Sequence, residues 1–273
     1  MLVKMEKNIT QQLERHPKTG GYKLMLALLI VAMIVWSATA LNPITTGPQG
    51  LSVAGSILTG IINPDTDLLF NLTPQGVPFL LLETLAIAFV GTIVGAILAV
   101  PLAFASATNI VPRPIAFLIR LFIMAVRTLP VFIYGLMFIR VTGPGPFAGL
   151  LTMAVSSIGM ISKLYVETIE ELDTGIIESL DAAGCNGFEK IRYGIVPQLS
   201  SDFLSTMIYR FDMNIRDVAV LGLVGAGGIG APLIFAMGSF RWNEAGSILI
   251  GLVVLVLVIE YFSTKIRNKL TRG

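Results

Sequence analysis

Long apolar runs constrain this sequence more than any other feature. The run from Thr84 to Ala107 contains no charged residue, and the first run, Leu24–Leu41, is 18 residues long. About 20 helical residues, at about 1.5 Å each, cross a hydrocarbon core about 30 Å thick. The runs lack the strict alternation of membrane strands and exceed their length. The sequence therefore predicts an all-helical integral membrane protein.

Six such runs predict six transmembrane helices. They are Leu24–Leu41, Thr84–Ala107, Ile115–Ile139, Phe147–Thr168, Leu199–Leu223 and Gly246–Thr264. The third run contains Arg120, Arg127 and Pro130, and the fifth is the most polar. Because proline disrupts a helix, Pro130 is predicted to kink the third span.

Composition excludes several other classes of protein. The chain is 54% hydrophobic and only 13% charged, with a mean hydropathy of +0.80, whereas a soluble domain is about 25% charged. This argues against a soluble enzyme and against a disordered protein. A net charge of +2 gives no overall basic field for nucleic acid. One cysteine, Cys185, and one histidine, His16, make an internal disulfide impossible and a protein-only zinc site implausible.

The distribution of Lys and Arg predicts the orientation. Basic residues cluster in the tails 1–23 and 265–273, which are both predicted to be cytoplasmic. The loop 42–78 has only two charged residues, both Asp, and is predicted to lie outside. The remaining region, 79–264, is the predicted core domain. Within it, the polar stretch 170–198 is a predicted cytoplasmic loop, and Gly225–Ala245 is predicted to lie outside.

A signal peptide is the alternative interpretation of the first run. Ala38-Thr39-Ala40 resembles a small-residue cleavage site. The apolar run is longer than a usual signal-peptide core, so a retained helix is favoured.

The cytoplasmic stretch predicts a short amphipathic helix. Acidic residues precede it, where the helix dipole favours negative charge. Its apolar face is predicted from helical spacing to contain Ile176, Ile177, Leu180 and Ala183. Gly184 can end the helix in a left-handed conformation. Such a helix can dock on a cytosolic partner or lie on lipid, and its acidic character favours docking.

This stretch resembles the coupling segment of permeases in binding-protein-dependent ABC importers. That family carries Glu-Ala-Ala, three residues, Gly, nine residues and Ile-x-Leu-Pro, and Glu178, Gly184 and Pro197 hold the matching positions. The sequence departs from the pattern at Ser179, Leu180, Gly194 and Val196. The resemblance implies an ATPase-coupling segment, which comprises Glu178, Ser179, Leu180, Asp181, Ala182, Ala183, Gly184 and Pro197.

Other segments resemble the phosphonate-importer permeases in particular. They are Arg127–Pro130, Gly143–Gly149, Tyr209–Asp217 and Val220–Gly230, and the similarity extends from about Pro78 to the C-terminus. That family transports phosphonates and, in some members, phosphite or phosphate. Methionine and betaine importers share similar Gly-rich stretches, so a permease of either kind is the alternative within the family.

The resemblance implies a type I ABC importer permease fold with six spans and a cytoplasmic coupling helix. It implies a homodimer in the bacterial cytoplasmic membrane, in contact with lipid, two ATP-binding subunits and an extracytoplasmic phosphonate-binding protein. ATP and Mg would bind to the partner subunits, and this chain would hold no catalytic residue, metal or cofactor of its own. No Walker A motif occurs in the sequence. A secondary transporter or channel is a further alternative, but inverted repeats are not evident. A membrane scaffold without transport is another, and the arginines within spans and the coupling segment argue against it.

Charged residues inside spans are candidates for function. In the fifth span, Asp212 and Arg216 are spaced to pair on one helical face, whereas Arg210 and Asp217, seven residues apart, are predicted to share a face without contact. Either these charges pair structurally or an arginine helps a phosphonate anion across as an oxyanion partner. Arg127 in the third span is the other candidate for this substrate path.

Partners for the remaining charges can also be predicted. Glu83 and Glu167 are candidate partners for Arg120 and Arg127, while Lys163 and Glu167 are spaced as an i,i+4 pair.

A Gly-rich segment contains a misleading fingerprint. Gly225, Gly227 and Gly230 match the dinucleotide-binding pattern, and Glu244 lies near the distance expected for a ribose ligand. No alternating strands and helices surround it, so close backbone packing or a bent re-entrant segment is favoured, with Gly228 as a further packing glycine. In the second span, Gly91 and Gly95 form a small-residue packing motif.

Overall fold

The structure, a computed structural model, describes residues 20–40 and 48–272, and every regular element in these ranges is helical. Most of the predicted N-terminal tail, the segment 41–47 and the last residue lie outside the described residues. The chain divides into two compact units, Met1–Val53 and Ala54–Gly273.

The first unit contains a single long helix within its described residues. Helix α1, Gly20–Ala40, corresponds to the first predicted span. Its sequence is apolar on all sides and long enough to cross a membrane, which is typical of a transmembrane helix. Helix α2, Pro48–Ile62, begins in this unit and continues into the second.

The second unit contains the other helices. They are α3 Thr66–Phe70, α4 Val77–Ser106, α5 Arg113–Thr128, α6 Val131–Thr142, α7 Pro146–Glu170, α8 Thr174–Ala182, α9 Gly187–Glu189, a π-helical turn Lys190–Ile195, α10 Val196–Gly222, α11 Gly230–Gly238 and α12 Trp242–Arg272.

Four of the described helices are long and apolar enough to cross a membrane, and a bent pair makes five if it is one span. The four are α1, α4, α7 and α12. Helix α10, the fifth predicted span, is 27 residues long but carries Asp202 and the Arg210–Asp217 charges. The prediction of six spans included this polar helix because it is long enough. By length and apolar composition together, the described helices provide four or five spans.

The bent pair is α5 and α6, which meet at 84°. Leu129 and Pro130 between them are extended, with ψ of 128° and 145°. Proline lacks the amide donor and disfavours helical geometry at the preceding residue. The predicted kink at Pro130 is therefore a complete break between two helices.

Close backbone packing joins α4 to α7. A Cβ atom added at Gly95 would lie 2.5 Å from the Cβ of Ser157, and one added at Gly91 would collide with Met153. The prediction of a small-residue packing motif at these glycines is confirmed.

Two regions predicted as non-helical contain helices. The loop 42–78 contains α2 and α3, and Asp65, which was interpreted only as a loop charge, caps α3 by accepting from the amides of Asp67 and Leu68 at 3.0 and 3.1 Å. Helix α12 runs on to Arg272, whereas the last span was predicted to end at Thr264. Its basic last turns are compatible with the negative end of the helix dipole, so charge did not end the helix.

Candidate translocation path and coupling segment

The predicted coupling segment forms helix α8 with a defined beginning and end. The carboxylate of Asp173 caps it by accepting from the Gly175 amide at 2.9 Å. Gly184 has φ of 79°, and the amide of Cys185 donates to the Leu180 carbonyl at 3.0 Å. This is the hydrogen bonding of a glycine-terminated helix end, so the prediction that Gly184 ends the helix is confirmed.

Helix α8 packs on the turn that follows it and leaves its other face open. Ile176, Ile177 and Leu180 are half-buried, but Ala183 is exposed, so the predicted apolar face is shorter than expected. Leu180 lies against Gly194, where an added Cβ would collide with its Cδ1. The exposed residues of the segment are Glu178, Ser179, Asp181, Ala182, Ala183, Gly184 and Pro197.

The chain from α8 to α10 is held by short polar contacts. Asn186 and Glu189 form a reciprocal cap at 2.9 and 2.7 Å, and Lys190 pairs with Asp181 of α8. Pro197 lies in the first turn of α10. Glu178, Gly184 and Pro197, which match the family pattern, therefore lie in one connected stretch of the chain.

Arg210 is buried in the core between α10 and α7. Its side chain is 6% exposed, and Nη2 donates to Ser156 Oγ at 2.8 Å and lies 3.4 Å from Asp217 Oδ2. The prediction that Arg210 and Asp217 do not touch was wrong, because the long guanidinium side chain spans two helical turns. Nε of Arg210 has no partner in the described part of the chain.

Asn214 extends this polar layer to α4. It is fully buried, and its amide nitrogen donates to Thr92 Oγ1 at 2.7 Å and Ser157 Oγ at 2.8 Å. The sequence reasoning missed Asn214, although its position four residues after Arg210 places both on one face of α10. Three helices are thus tied together by buried hydrogen bonds, which cost stability when they are broken.

Arg216 lies on the more exposed side of α10. It pairs with Asp212 at 3.2 Å, as predicted, and also with Glu260 of α12 at 3.1 Å. Arg216 is thus flanked by two acids, so its charge is already balanced within the protein.

A groove between α5 and α7 contains further charged residues of the predicted spans. Arg120 pairs with Glu170 at 2.5 Å, and Lys163 pairs with Glu167 at 3.1 Å. The Lys163–Glu167 prediction is confirmed. The prediction that Glu83 or Glu167 would pair with Arg120 or Arg127 was wrong, because other groups already bind these carboxylates.

The Gly-rich segment is a compact turn against the first turns of α4. Gly225, Gly227 and Gly228 have φ of 90°, 83° and 73°, which L side chains rarely adopt. The amide of Gly228 donates to Glu83 Oε1 at 2.9 Å, and the amide of Ile229 donates to Thr84 Oγ1 at 3.0 Å.

Backbone contacts also explain the last glycine of this segment. Gly230 packs on Gly222, where an added Cβ would lie 2.5 Å from the Gly230 Cα. The turn is flanked by helices rather than by a strand, and Glu244 pairs with Arg241 at 2.9 Å. Close backbone packing is confirmed, and the strand expected before a dinucleotide fingerprint is the end of α10.

The match to a protein family decides the identity of this arrangement. Residues 91–264, more than half of the chain, match the family described as "Binding-protein-dependent transport system inner membrane component". The chain belongs to this family. It is therefore a membrane permease component of a binding-protein-dependent importer, and the matched region contains α8, the polar layer and the Gly-rich turn.

Several curated permeases are similar in sequence to this chain. The phosphite transport system permease protein PtxC of Stutzerimonas stutzeri is 32% identical over 189 residues, 69% of each chain. A second permease protein of that organism, HtxC, is 31% identical over 98% of this chain and 91% of its own. The phosphate-import permease protein PhnE of Mycolicibacterium smegmatis is 34% identical over 69% of this chain, which corresponds to 36% of that protein.

Solved structures show the same fold. A chain of the inward-facing MetNI methionine ABC transporter aligns with a TM-score of 0.61 at 22% identity, covering 70% of this permease and 94% of that chain. A chain of an amino acid ABC transporter aligns with a TM-score of 0.58 at 17% identity, covering 80% and 96%. The predicted type I importer permease fold is confirmed.

Proposed function

We propose that this permease forms the translocation path of an ATP-driven importer for a phosphorus oxyanion: a phosphonate, phosphite or phosphate. The observation that carries the proposal is the 32% identity to a phosphite permease over 69% of the chain, together with the 34% identity to a phosphate-import permease. The glycine betaine/carnitine permease GbuB of Listeria monocytogenes is only 20% identical over 178 residues. The methionine transporter supports the fold but not its substrate.

The importer would contain two copies of this permease, two ATP-binding subunits and an extracytoplasmic binding protein. Both tails would be cytoplasmic, and the complex would lie in a bacterial inner membrane. ATP and Mg would bind to the partner subunits, while this chain supplies the path and the gate. Its described residues contain no group of three or more metal-ligating side chains, and its polar layer is engaged in structural hydrogen bonds.

Helix α8 is the proposed docking element for the ATP-binding subunit. Its Leu180 side packs on the permease, and its Glu178 side is exposed. Capping at Asp173 and at Gly184 fixes both helix ends, so a partner meets a rigid surface. Closure of the ATP-binding subunits would then move α8 and α10 together, and the spans would alternate between inward-open and outward-open states.

The polar layer constrains where the substrate path lies. Arg210 is engaged by Asp217 and Ser156, and Arg216 is engaged by Asp212 and Glu260. Structural pairing thus accounts for both arginines of α10. Among the three predicted path arginines, this leaves Arg127 on α5 as the one whose charge is not neutralised by an acid within the described residues.

The experiment is uptake by the complex reconstituted into vesicles with its binding protein and ATP. The panel comprises methylphosphonate, phosphite, phosphate, methionine and glycine betaine. Uptake of one or more phosphorus oxyanions, with none of the last two, is expected. ATP-dependent uptake of methionine or betaine without any phosphorus oxyanion would overturn the proposal.

A further inference from the structure

A cavity of about 220 Å³ lies in the groove between α5 and α7. Its lining includes three cationic side chains from two helices, Arg120, Arg127 and Lys163, and two acids. The rest is apolar, with Met124 on the α5 side. A water occupies about 30 Å³ in the liquid, so the cavity has room for a small tetrahedral anion together with several waters.

The charges of the groove do not cancel. Arg120 pairs with Glu170, and Lys163 pairs with Glu167. Neither acid is left for Arg127, which has no ion pair within residues 20–40 and 48–272. One positive charge therefore remains unbalanced in a wall that is otherwise neutral or apolar.

The position of Arg127 is fixed by packing. Its stem lies across Gly159 of α7, where an added Cβ would come within 2.7 Å of the arginine Cγ. Glycine at this point lets α5 and α7 approach with the arginine stem between them. Arg127 itself contributes to the cavity wall.

These features match the chemistry of one class of ligand. A guanidinium stays charged at any working pH and presents parallel donors that suit two oxygens on one phosphorus. An ammonium such as that of Lys163 adds a point charge without fixed geometry.

We propose that the α5–α7 groove is a binding site for a phosphorus oxyanion, with Arg127 as its main ligand and Lys163 as the second. The ligand is either the free transported anion or the phosphate of an anionic lipid, since the two share this chemistry. The first possibility rests on the proposed function. Lys163 and Glu167 are exposed and, among the residues that the structure describes, form an ion pair only with each other. An anion can therefore draw the lysine toward itself without unpairing a buried charge.

The test uses the reconstituted complex and needs no transport. Cys185 is replaced by Ser, and Met124, which is 59% exposed, is replaced by Cys as a reporter in the groove. Its labelling is followed with an anionic and with a cationic methanethiosulfonate reagent, in phosphatidylcholine vesicles with or without phosphatidylglycerol. Arg127→Gln removes the proposed ligand, and Arg113→Gln is the matched control, because it removes the same charge from α5 outside the cavity.

If the proposal is right, the anionic reagent labels the reporter cysteine faster than the cationic reagent does. The ratio of the two labelling rates falls about fivefold or more in Arg127→Gln but not in Arg113→Gln. Slower labelling in millimolar inorganic phosphate or methylphosphonate than in chloride of equal ionic strength supports a site for the free anion. Slow labelling only in phosphatidylglycerol vesicles, whatever the phosphate concentration, supports a lipid phosphate.

Several results would overturn the site. These are a reporter that reacts with neither reagent, a charge preference that Arg127→Gln leaves unchanged, and a preference without protection by phosphate, phosphonate or lipid. The uptake panel fails or succeeds independently of these outcomes. Protection by phosphate in a complex that imports only methionine would keep the site and reject the proposed function.

Discussion

Two polar regions of this permease use the same residue types in opposite ways. In the layer around Arg210, the guanidinium and Asn214 are buried and bonded to side chains on three helices. In the α5–α7 groove, Arg127 is exposed and lacks an acid partner in the described part of the chain. The difference separates arginines that hold the helices together from one that is available to a ligand.

The largest loss of stability is expected in the buried layer around Arg210. Arg210→Gln removes the partner of Asp217 and leaves its carboxylate half-buried and unpaired, which is expected to cost about 3 to 5 kcal/mol of stability. Thermal unfolding of the detergent-purified complex would show a large fall in midpoint and loss of assembled permease. A normal midpoint would mean that the layer is not structural.

A change outside both regions separates a coupling defect from a folding defect. Gly184→Val places a β-branched residue at φ of 79°, and the strain is expected to cost about 1 to 3 kcal/mol locally. The permease should still assemble, while substrate-stimulated ATP hydrolysis and uptake fall. Gly187→Ala is the matched control, because nothing lies within 4 Å of an added Cβ there and its φ is not positive. Full uptake in Gly184→Val would contradict the coupling role of α8.

The pair on the exposed side of α10 should give an intermediate effect. Arg216→Gln removes the cation that Asp212 and Glu260 share, at a cost of about 1 kcal/mol, since Arg216 and Glu260 are exposed and ion pairs of exposed groups are weak. The double change Asp212→Asn with Arg216→Gln is expected to recover assembly and uptake. Recovery of assembly without uptake would instead place Arg216 in the substrate path.

The smallest effect on stability is expected in the α5–α7 groove. Arg127→Gln should change stability by about 0.5 kcal/mol or less, because no ion pair is lost. If Arg127 binds the transported anion, uptake should nevertheless fall several-fold, and Arg127→Lys should retain part of it. Normal uptake in Arg127→Gln would show that the arginine is not in the path. A large loss of stability in Arg127→Gln would mean that Arg127, like Arg210, is structural.

Local patterns predicted the parts of the fold that depend on neighbouring residues. Gly184 at the end of α8, the Asp212–Arg216 pair and the Gly91–Gly95 packing surface each depend on spacing within one helix. The break at Pro130 also follows from local backbone geometry. These features need no knowledge of which helices meet.

The remaining features depend on tertiary packing. Glu170 rather than Glu83 or Glu167 reaches Arg120 because α5 and α7 meet at their cytoplasmic-side ends in the predicted topology. Thr92 and Ser157 become partners of Asn214 only after α4 and α7 are in contact. A single sequence provides residue types and periods, but it does not order helices against one another.

The π-helical turn Lys190–Ile195 has a consequence for rotation. A π turn holds one more residue than an α turn, and each α-helical residue advances by about 100° around the axis. The turn runs without interruption from α9 into α10. Its extra residue therefore determines the direction around the helix axis in which each side chain of α10 points. Arg210, Asn214 and Asp217 point inward only with that residue in place. Removing the extra residue of the turn would rotate these three side chains by about 100° relative to the segment that precedes them.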